Sequence, residues 1–311
     1  MIKINQDTAI VYSAHLGTKK ENIGDVLSAK AIAIMSGLTK ARLYCLPGEI
    51  GLSANRPVIY GGGGMIRPLF YKKEDRDFKL RNKNQPHAIY GIGINLDVGG
   101  YDFTRDDLNS LEQWLTTAKS VTVRDLASYD FLQKKFNFKA KIAPCPTYSV
   151  LKNKKREFLG TKYHLGIVPS LGHTKTYDGY RNEIIAVIQD LIKKVGPEKI
   201  SFICHDEQDY DAIKMLFGDL GVSIVRPVDF DHVHESYSDC GAIFTLRGHG
   251  IIFAAAAGRP CSFVPLNVKL NALYSYHYGG AYRDINFNAG HHLDNLDKRQ
   301  PPLNINTDFS L

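Results

Sequence analysis

The chain has 311 residues, of which 44% are hydrophobic and 23% are charged. This balance is ordinary for a folded soluble protein and excludes disordered, collagen-like and low-complexity classes. At about 100–200 residues per domain, the length predicts two domains or one large α/β domain. The 39 Lys and Arg against 32 Asp and Glu leave a net charge of +7. That excess suits an anionic substrate or surface and is too small to indicate nucleic acid as a partner.

Cysteine usage and hydropathy bear on the compartment. Five cysteines stand at positions 45, 145, 204, 240 and 261, without a CxxC pair. A disulfide framework or zinc ribbon is therefore not expected, and we predict a cytoplasmic protein. The N-terminal residues lack the basic start and apolar core of a signal peptide. The most apolar run, 250–258, is far shorter than the ~20 residues of a membrane-spanning helix. We expect any association with the inner face of the membrane to be peripheral.

Short β-rich runs alternate with helical patterns along most of the chain. In the first half, strands are predicted at 9–14, 41–45, 57–60, 87–92, 120–123 and 141–143, and helices near 25–36, 104–117 and 125–136. In the second half, strands are predicted at 163–168, 199–204, 222–225, 241–246 and 260–264, and helices near 180–194, 208–217 and 249–257. This alternation favours parallel sheets with crossover helices.

The stretch 146–162 breaks the pattern, because it is basic and polar with no clean period, and it is predicted to be a linker. We therefore predict an α/β fold of two Rossmann-like domains that face a cleft. The first covers 1–150 with a glycine-rich loop, the second covers 160–280, and a polar tail covers 281–311. A single open sheet of eleven strands is disfavoured, since such sheets rarely exceed ~10 strands.

Ligands of open α/β sheets bind beyond the carboxyl ends of the strands, so the residues that follow each strand are the candidate ligand-binding residues. Near the start, Asn22 and Asp25 flank a glycine and either cap a helix or meet a ligand. Four glycines, Gly61–Gly64, follow a strand directly, and Gly91-x-Gly93 follows the next one. Backbone N–H groups at Gly62 and Gly63 would suit a phosphate or sugar, whereas the alternative is tight strand-to-helix packing. No GxGxxG pattern supports a nicotinamide site.

Basic residues follow two other strands. Arg124 ends the run 120–123 and stands at a helix N-terminus, where it either binds an anion or pairs with a carboxylate. Arg247 and His249 lie between an apolar strand and a helix that is apolar nearly all round. Two basic groups oppose the helix dipole unless an anion is present, so an anion site beside a titratable group is favoured over a cap with a core histidine.

Several polar clusters are less specific. His205, Asp206 and Asp209 follow a strand and either line the site or begin a solvated helix. The residues 231–235 are of metal-binding types, but their two histidines are only two positions apart and would not share a helix face. They are interpreted as surface residues, and the pair His291-His292 is not interpreted as a site either. No metal site is expected.

Taken in order, these junctions resemble the polysaccharide pyruvyl transferase family over residues 20–270. The matching features follow the chain: Asn22-x-Gly24-Asp25, Gly61–Gly64, Val123-Arg124-Asp125 with Ser128, Arg247-x-His249, Ala254, Gly258-x-Pro260 and Lys269. Members often carry an acidic residue before a proline late in the first half, where this chain has Pro144-Cys145-Pro146. This departure concerns the acceptor or hinge and not the donor site.

The resemblance implies a fold similar to the B-type glycosyltransferases, with the acceptor held by the first domain and the donor by the second. It implies transfer of pyruvate from phosphoenolpyruvate to two hydroxyls of a sugar in a cell-surface polysaccharide or its precursor, such as a lipid-linked saccharide. A cyclic ketal forms and phosphate leaves, with no cofactor. By resemblance, Arg124 and Arg247 bind the donor and His249 is catalytic. Asn22, Gly62, Gly63 and Lys269 are further expected substrate-binding residues.

The chemistry of phosphoenolpyruvate suggests which residues transfer protons. Arginines hold carboxylate and phosphate groups through paired hydrogen bonds, and a histidine beside a phosphate is favoured in its charged form. We therefore expect His249 to protonate the methylene carbon, and Asp25 to accept a proton from the acceptor. The main alternative is a glycosyltransferase that uses a nucleotide sugar, with Glu235 or Asp239 placed to bind ribose. A sugar- or phosphate-binding regulatory protein without turnover is the non-enzymatic alternative.

Overall fold

The computed structural model describes residues 8–12, 22–38, 42–45, 56–66, 86–95, 103–154, 161–171, 178–280, 284–298 and 300–305. The strands are β1 (Ala9–Tyr12), β2 (Arg42–Cys45), β3 (Val58–Gly61), β4 (His87–Ile92), β5 (Val121–Val123), β6 (Lys141–Ile142), β7 (Tyr163–Val168), β8 (Ile200–Ile203), β9 (Ser223–Val225), β10 (Cys240–Thr245) and β11 (Cys261–Phe263). Each of the eleven predicted strands is therefore present. Predicted strand residues 13–14 and 41, linker residues 155–160, and tail residues 281–283, 299 and 306–311 lie outside the described residues.

The α-helices of the described residues are α1 (Ile23–Met35), α2 (Arg105–Thr117), α3 (Leu126–Phe136), α4 (Pro146–Lys152), α5 (Arg181–Val195), α6 (Glu207–Phe217), α7 (Phe230–Ser238), α8 (Gly248–Ala256), α9 (Val268–Tyr278) and α10 (Ala289–Asp297). The six predicted helices correspond to α1, α2, α3, α5, α6 and α8, with ends that agree within two residues. None of the helices in the described part of the chain combines the length and hydropathy that crossing a bilayer requires.

The chain divides into two compact units, one within Met1–Val150 and the other Leu151–Ile305. The first contains a six-stranded parallel sheet in the order β2-β1-β3-β4-β5-β6, and the second a five-stranded parallel sheet in the order β11-β10-β7-β8-β9. Two parallel sheets with crossover helices confirm the predicted α/β class.

The first sheet is buried between helices. Strands β3 and β4 are buried at every position, as expected for parallel strands covered on both faces. Helix α2 begins with a capping box between Thr104 and Asp107, and it buries Trp114 against the ring of Tyr60, with 5.3 Å between ring centroids. The chain's single tryptophan therefore reports on the core of the first unit.

The predicted linker is wrong over its first seven residues, because Pro146–Lys152 forms α4. Proline is favoured at the first helical position, where its missing N–H would have no intrahelical acceptor. Tyr148 and Leu151 are buried on this helix. The basic residues that follow hid this short apolar pattern in the sequence.

The polar tail likewise differs from its expected separation, because residues up to Ile305 cluster with the second unit. Helix α10 packs Ala289 and Leu296 into the core of that unit. His292 is fully buried on the same helix: its Nδ1 lies 2.8 Å from Ser262 Oγ, and its Nε2 lies 2.9 Å from the carbonyl oxygen of Asn286. His292, Ala289 and Leu296 thus pack this part of the tail against the second unit.

Burial lowers the pKa of His292 from 6.5 to about 4, so acid should destabilise the second unit. Between pH 6.5 and pH 4, His292 is protonated in the unfolded chain but neutral in the folded one. The free energy of unfolding is therefore greatest above about pH 6.5 and falls towards pH 4. His292 alone accounts for a loss of about 3 kcal/mol at 1.4 kcal/mol per pKa unit. We expect His292→Gln to flatten the pH dependence of urea unfolding followed by circular dichroism. The same change at the exposed His164 should leave it intact.

Candidate active site

Four candidate junctions share one edge of the first sheet. Because β1, β3, β4 and β5 are consecutive parallel strands in the sheet, their carboxyl ends meet at the same edge. Helix α1 begins after β1, the glycine run follows β3, Gly91 and Gly93 surround the end of β4, and Arg124 follows β5. The structure therefore brings the predicted residues of the first unit to a common edge.

Arg124 lies at this edge with its side chain only 2% exposed. Its Nε and Nη1 have no hydrogen-bond partner among the residues that the structure describes. The neighbouring Asp125 has its Oδ2 3.8 Å from Arg124 Nε, within ion-pair distance but beyond hydrogen-bond distance. A guanidinium stays charged, so Arg124 and Asp125 form a buried ion pair that lacks a hydrogen bond. Nε and Nη1 therefore retain hydrogen-bonding capacity that the described part of the chain does not use.

Asp125 instead caps helix α3. Its Oδ1 accepts hydrogen bonds from the backbone N–H and the hydroxyl of Ser128, at 2.7 and 2.6 Å. Ser128 Oγ in turn accepts a hydrogen bond from the backbone N–H of Ile94 at 2.8 Å. The cap uses only Oδ1, and Oδ2 lies 3.8 Å from Arg124 Nε, so a structural Arg124–carboxylate pair stays an alternative to an anion site.

The glycine run packs tightly against its neighbours. Gly62 has φ +75°, and a Cβ at this position would overlap Ser28 of α1. Its backbone N–H donates to the carbonyl oxygen of Tyr90, and the carbonyl oxygen of Gly63 accepts from Gly93 N–H at 3.1 Å. The amide of Gly62 is therefore used within the sheet, and the run holds β3, β4 and α1 together.

Asn22 and Asp25 belong to the start of α1. Asn22 is its N-cap, because the side-chain oxygen accepts from Gly24 N–H at 2.9 Å. Asp25 lies half-buried in the first turn, where its negative charge is favourable to the helix dipole. The structure thus gives Asn22 a capping role and leaves Asp25 at the same sheet edge as Arg124.

The second unit has its own switch in strand order between β7 and β10, the position at which α/β sheets bind ligands. Arg247 follows β10 there and is the residue before α8, a helix with no side-chain cap. Its Nε donates to the carbonyl oxygen of Pro169, just after β7, at 2.9 Å. The side chain therefore bridges the carboxyl ends of two neighbouring strands.

Two buried carboxylates also bind Arg247. Nη2 donates to Asp206 Oδ2 at 2.6 Å and also contacts Asp209 Oδ2, and Nε donates to that same oxygen at 2.7 Å. Asp206 and Asp209 are at most 2% exposed, so the alternative of a solvated helix start is wrong. Asp206 is the N-cap of α6, which fixes its position relative to the arginine.

This cluster changes the charge balance predicted for the turn before α8. One guanidinium and two carboxylates sum to −1, so Arg247 adds no positive excess at the helix N-terminus. Its internal pairing also explains how two basic residues stand at that N-terminus without an external anion. Arg247 is consequently held in a fixed geometry by the protein itself.

A neutral histidine lies beside this cluster. Burial, with the neighbouring Arg247 guanidinium, lowers the pKa of His205 to about 3. Its Nε2 lies 2.8 Å from the hydroxyl of Tyr237, and burial raises the pKa of that phenol. Both rings pack against Phe253 of α8, with ring centroids 5.3 and 5.6 Å away. The apolar helix α8 thus packs against the hydrogen-bonded pair of His205 and Tyr237.

His249 occupies the first turn of α8 and is 9% exposed. Its ring lies beside the ring of Phe253, one helical turn further along α8, with 5.7 Å between the ring centroids. Lys269 lies in the first turn of α9, and its Cε would be 3.2 Å from a Cβ at Gly248. The structure therefore brings together Arg247, His249 and Lys269 at the start of α8.

The sequence contained a signal for the carboxylates that hold Arg247. Asp206 and Asp209 stand at an N-cap and three residues later, directly after a buried strand. The order of the strands in the sheet, which the sequence does not give, brings them to Arg247 across β7. Gly93 is one of the predicted glycine pair. It lies against the Arg124 side chain because β4 pairs with β5, which local sequence does not give.

The sequence model of the family described as "Polysaccharide pyruvyl transferase" matches residues 22–266. The match includes Asn22, the glycine run, Arg124 and the turn from Arg247 to His249, and it ends before Lys269. No curated protein sequence gives a significant match to this chain.

Solved structures resemble the whole chain at low sequence identity. The UDP-GlcNAc 2-epimerase of Methanocaldococcus jannaschii has a TM-score of 0.58 at 12% identity, covering 97% of this chain and 94% of the epimerase. A putative UDP-N-acetylglucosamine 2-epimerase from Listeria monocytogenes has a TM-score of 0.54 at 11% identity, with 93% and 87% covered. The wall teichoic acid polymerase TagF has a TM-score of 0.54 at 14% identity, with 96% and 81% covered. These likenesses show the B-type glycosyltransferase fold.

Proposed function

The chain belongs to the polysaccharide pyruvyl transferase family, and from that membership we propose that it transfers pyruvate from phosphoenolpyruvate to two hydroxyls of one sugar. The acceptor is part of a cell-surface polysaccharide or its lipid-linked precursor, and the products are a cyclic ketal and inorganic phosphate. The reaction needs no cofactor in this proposal, because phosphoenolpyruvate is itself the activated donor.

The observation that carries the proposal is the buried Arg124. Its guanidinium is 2% exposed, and Nε and Nη1 lack hydrogen-bond partners among the described residues. Phosphoenolpyruvate presents a carboxylate and a phosphate, both of which match the planar fork of arginine. We therefore assign Arg124 to donor binding, where the ligand would supply the partners that the described residues do not.

We assign the proton to His249. Protonation of the methylene carbon gives the central carbon cationic character, and the first sugar hydroxyl attacks it with loss of its proton. Phosphate then leaves with the electrons of its C–O bond, and the second hydroxyl attacks the same carbon to close the ketal. One proton enters at the methylene from His249, and one leaves each hydroxyl. Asp25 is the proposed acceptor of the first hydroxyl proton. Over the whole cycle, one of the two hydroxyl protons restores His249 and the other leaves on the phosphate.

Arg247 and Lys269 take supporting roles. Because Asp206 and Asp209 already bind Arg247, we assign it to positioning the turn that presents His249, with any contact to the donor made from that fixed geometry. Lys269 lies against Gly248 and supplies a positive charge near the start of α8. We keep Asn22, Gly62 and Gly63 as proposed substrate-binding residues. Asn22 caps α1, Gly62 packs against Ser28, and the carbonyl oxygen of Gly63 accepts a hydrogen bond from Gly93.

The test is incubation of the purified protein with phosphoenolpyruvate and a panel of acceptor glycosides. We expect an acceptor mass gain of one pyruvate less one water, with one phosphate released per product. In D₂O, the ketal methyl group should carry one solvent deuterium, because the methylene gains one proton. Arg124→Ala should raise KM for phosphoenolpyruvate at least 10-fold, in line with loss of a charge-assisted contact of about 1.5–3 kcal/mol.

The alternatives give different products. A nucleotide-sugar glycosyltransferase would release a nucleoside diphosphate and leave phosphoenolpyruvate intact. A binding protein would retain either ligand without turnover. Acceptor-dependent release of a nucleoside diphosphate, with no phosphate formed from phosphoenolpyruvate, would refute the proposed reaction.

A further inference from the structure

Gly93 provides the surface on which the Arg124 guanidinium lies. A Cβ at residue 93 would overlap Arg124 Nε and would lie 3.0 Å from both Cζ and Nη2. The glycine has no positive φ, so its backbone conformation is open to other residues. The reason for a glycine here is therefore the close approach of the guanidinium and not the turn.

Hydrogen bonds hold the two segments at this distance. Arg124 N–H donates to the carbonyl oxygen of Ile92 at 3.0 Å, and Ile94 N–H donates to Ser128 Oγ at 2.8 Å. Gly93 N–H itself donates to the carbonyl oxygen of Gly63. Residues on both sides of Gly93 are thus tied to the Arg124 turn or the glycine run, so the backbone cannot easily retreat from an added methyl group.

We propose that Gly93 is a positioning residue for the donor site: it fixes the orientation of the Arg124 guanidinium by presenting a surface without a side chain. This inference rests on the proposed function, in which Arg124 binds the donor. Paired hydrogen bonding to a phosphate or carboxylate depends on the plane of the guanidinium, and Arg124 has little solvent-filled space to move into. A methyl group at residue 93 would rotate or displace that plane.

The test compares Gly93→Ala with the wild-type protein by calorimetric titration of inorganic phosphate and phosphoenolpyruvate, and by steady-state kinetics. We expect at least 10-fold weaker binding of both anions and an equal rise in KM, with kcat changed less than threefold. In an Arg124→Ala background, Gly93→Ala should change neither affinity nor KM more than twofold, because its target is gone. Gly218→Ala serves as a control, since a Cβ there would meet only Lys214 Cγ at 3.7 Å.

Each outcome separates the inference from the proposed function. Anion binding equal to the wild type in Gly93→Ala overturns the inference, while wild-type turnover would still support pyruvyl transfer. Weakened binding in Gly93→Ala without any wild-type turnover upholds the inference and refutes the transfer. Wild-type protein that binds neither anion overturns both.

Folding of the variants gives a further check. If Gly93→Ala alone fails to fold, recovery of the fold in Gly93→Ala/Arg124→Ala supports the contact. An unfolded double variant would overturn the inference, because the damage would then come from another neighbour.

Discussion

Replacing His249 with alanine should lower kcat for pyruvyl transfer by about 10²–10⁴-fold, the usual contribution of a positioned general acid. KM for phosphoenolpyruvate should stay within about threefold, because the donor anion is assigned to Arg124. The side chain stands in the first turn of α8, and its ring lies beside Phe253, so its removal deletes the proton donor and leaves the helix in place. Steady-state kinetics with varied phosphoenolpyruvate separate the two constants.

His249→Gln is the matched variant, since it keeps a hydrogen-bonding side chain that cannot supply a proton at neutral pH. It should lose kcat as severely as the alanine variant. His164→Ala, at an exposed position of β7, should behave as the wild type. Normal turnover in His249→Gln would remove the residue from the catalytic step.

The sequence predicted the strands well because their pattern depends on local composition. Buried parallel strands appear as short apolar runs, and all eleven runs became strands of the two sheets. Helices whose buried face combines apolar and polar side chains were harder to predict from the sequence. On α9, Leu270, Leu273, Tyr274 and His277 share the buried face, but the tyrosines and histidine weaken the apolar period. The missed helices were thus those whose packing surface is partly polar.

The candidate site was predicted to the level of residues but not of contacts. Arg124 and Arg247 both follow apolar strands, and the sequence suggested the same anion-binding role for each. Strand order decides the difference: β8 and β10 lie on either side of β7, which brings Asp206 and Asp209 to Arg247. Near Arg124, Asp125 uses Oδ1 to bind Ser128, and its Oδ2 lies 3.8 Å from Arg124 Nε without a hydrogen bond. Such long-range pairing has no signature in local sequence.

This difference predicts effects of different size on stability for the two buried arginines. Arg247→Ala would leave Asp206 and Asp209 buried without their cation, and breaking a buried ion pair costs about 3–5 kcal/mol. For a unit of this size, that loss corresponds to a fall of roughly 6–20 °C in its melting temperature. Arg124 has no hydrogen-bonded carboxylate and only Asp125 at 3.8 Å, so Arg124→Ala should destabilise the ligand-free protein less than Arg247→Ala does.

The two units can be followed separately in the intact chain. Trp114, buried in the first unit, reports on Arg124→Ala by fluorescence, whereas far-ultraviolet circular dichroism reports on both units. Arg247→Ala should shift the dichroism transition and leave the fluorescence transition in place. Restoring charge balance with Asp206→Asn and Asp209→Asn in the Arg247→Ala background should recover part of the loss. Equal destabilisation by both arginine variants would contradict the distinction between Arg247, which two carboxylates bind, and Arg124, which has no hydrogen-bonded carboxylate.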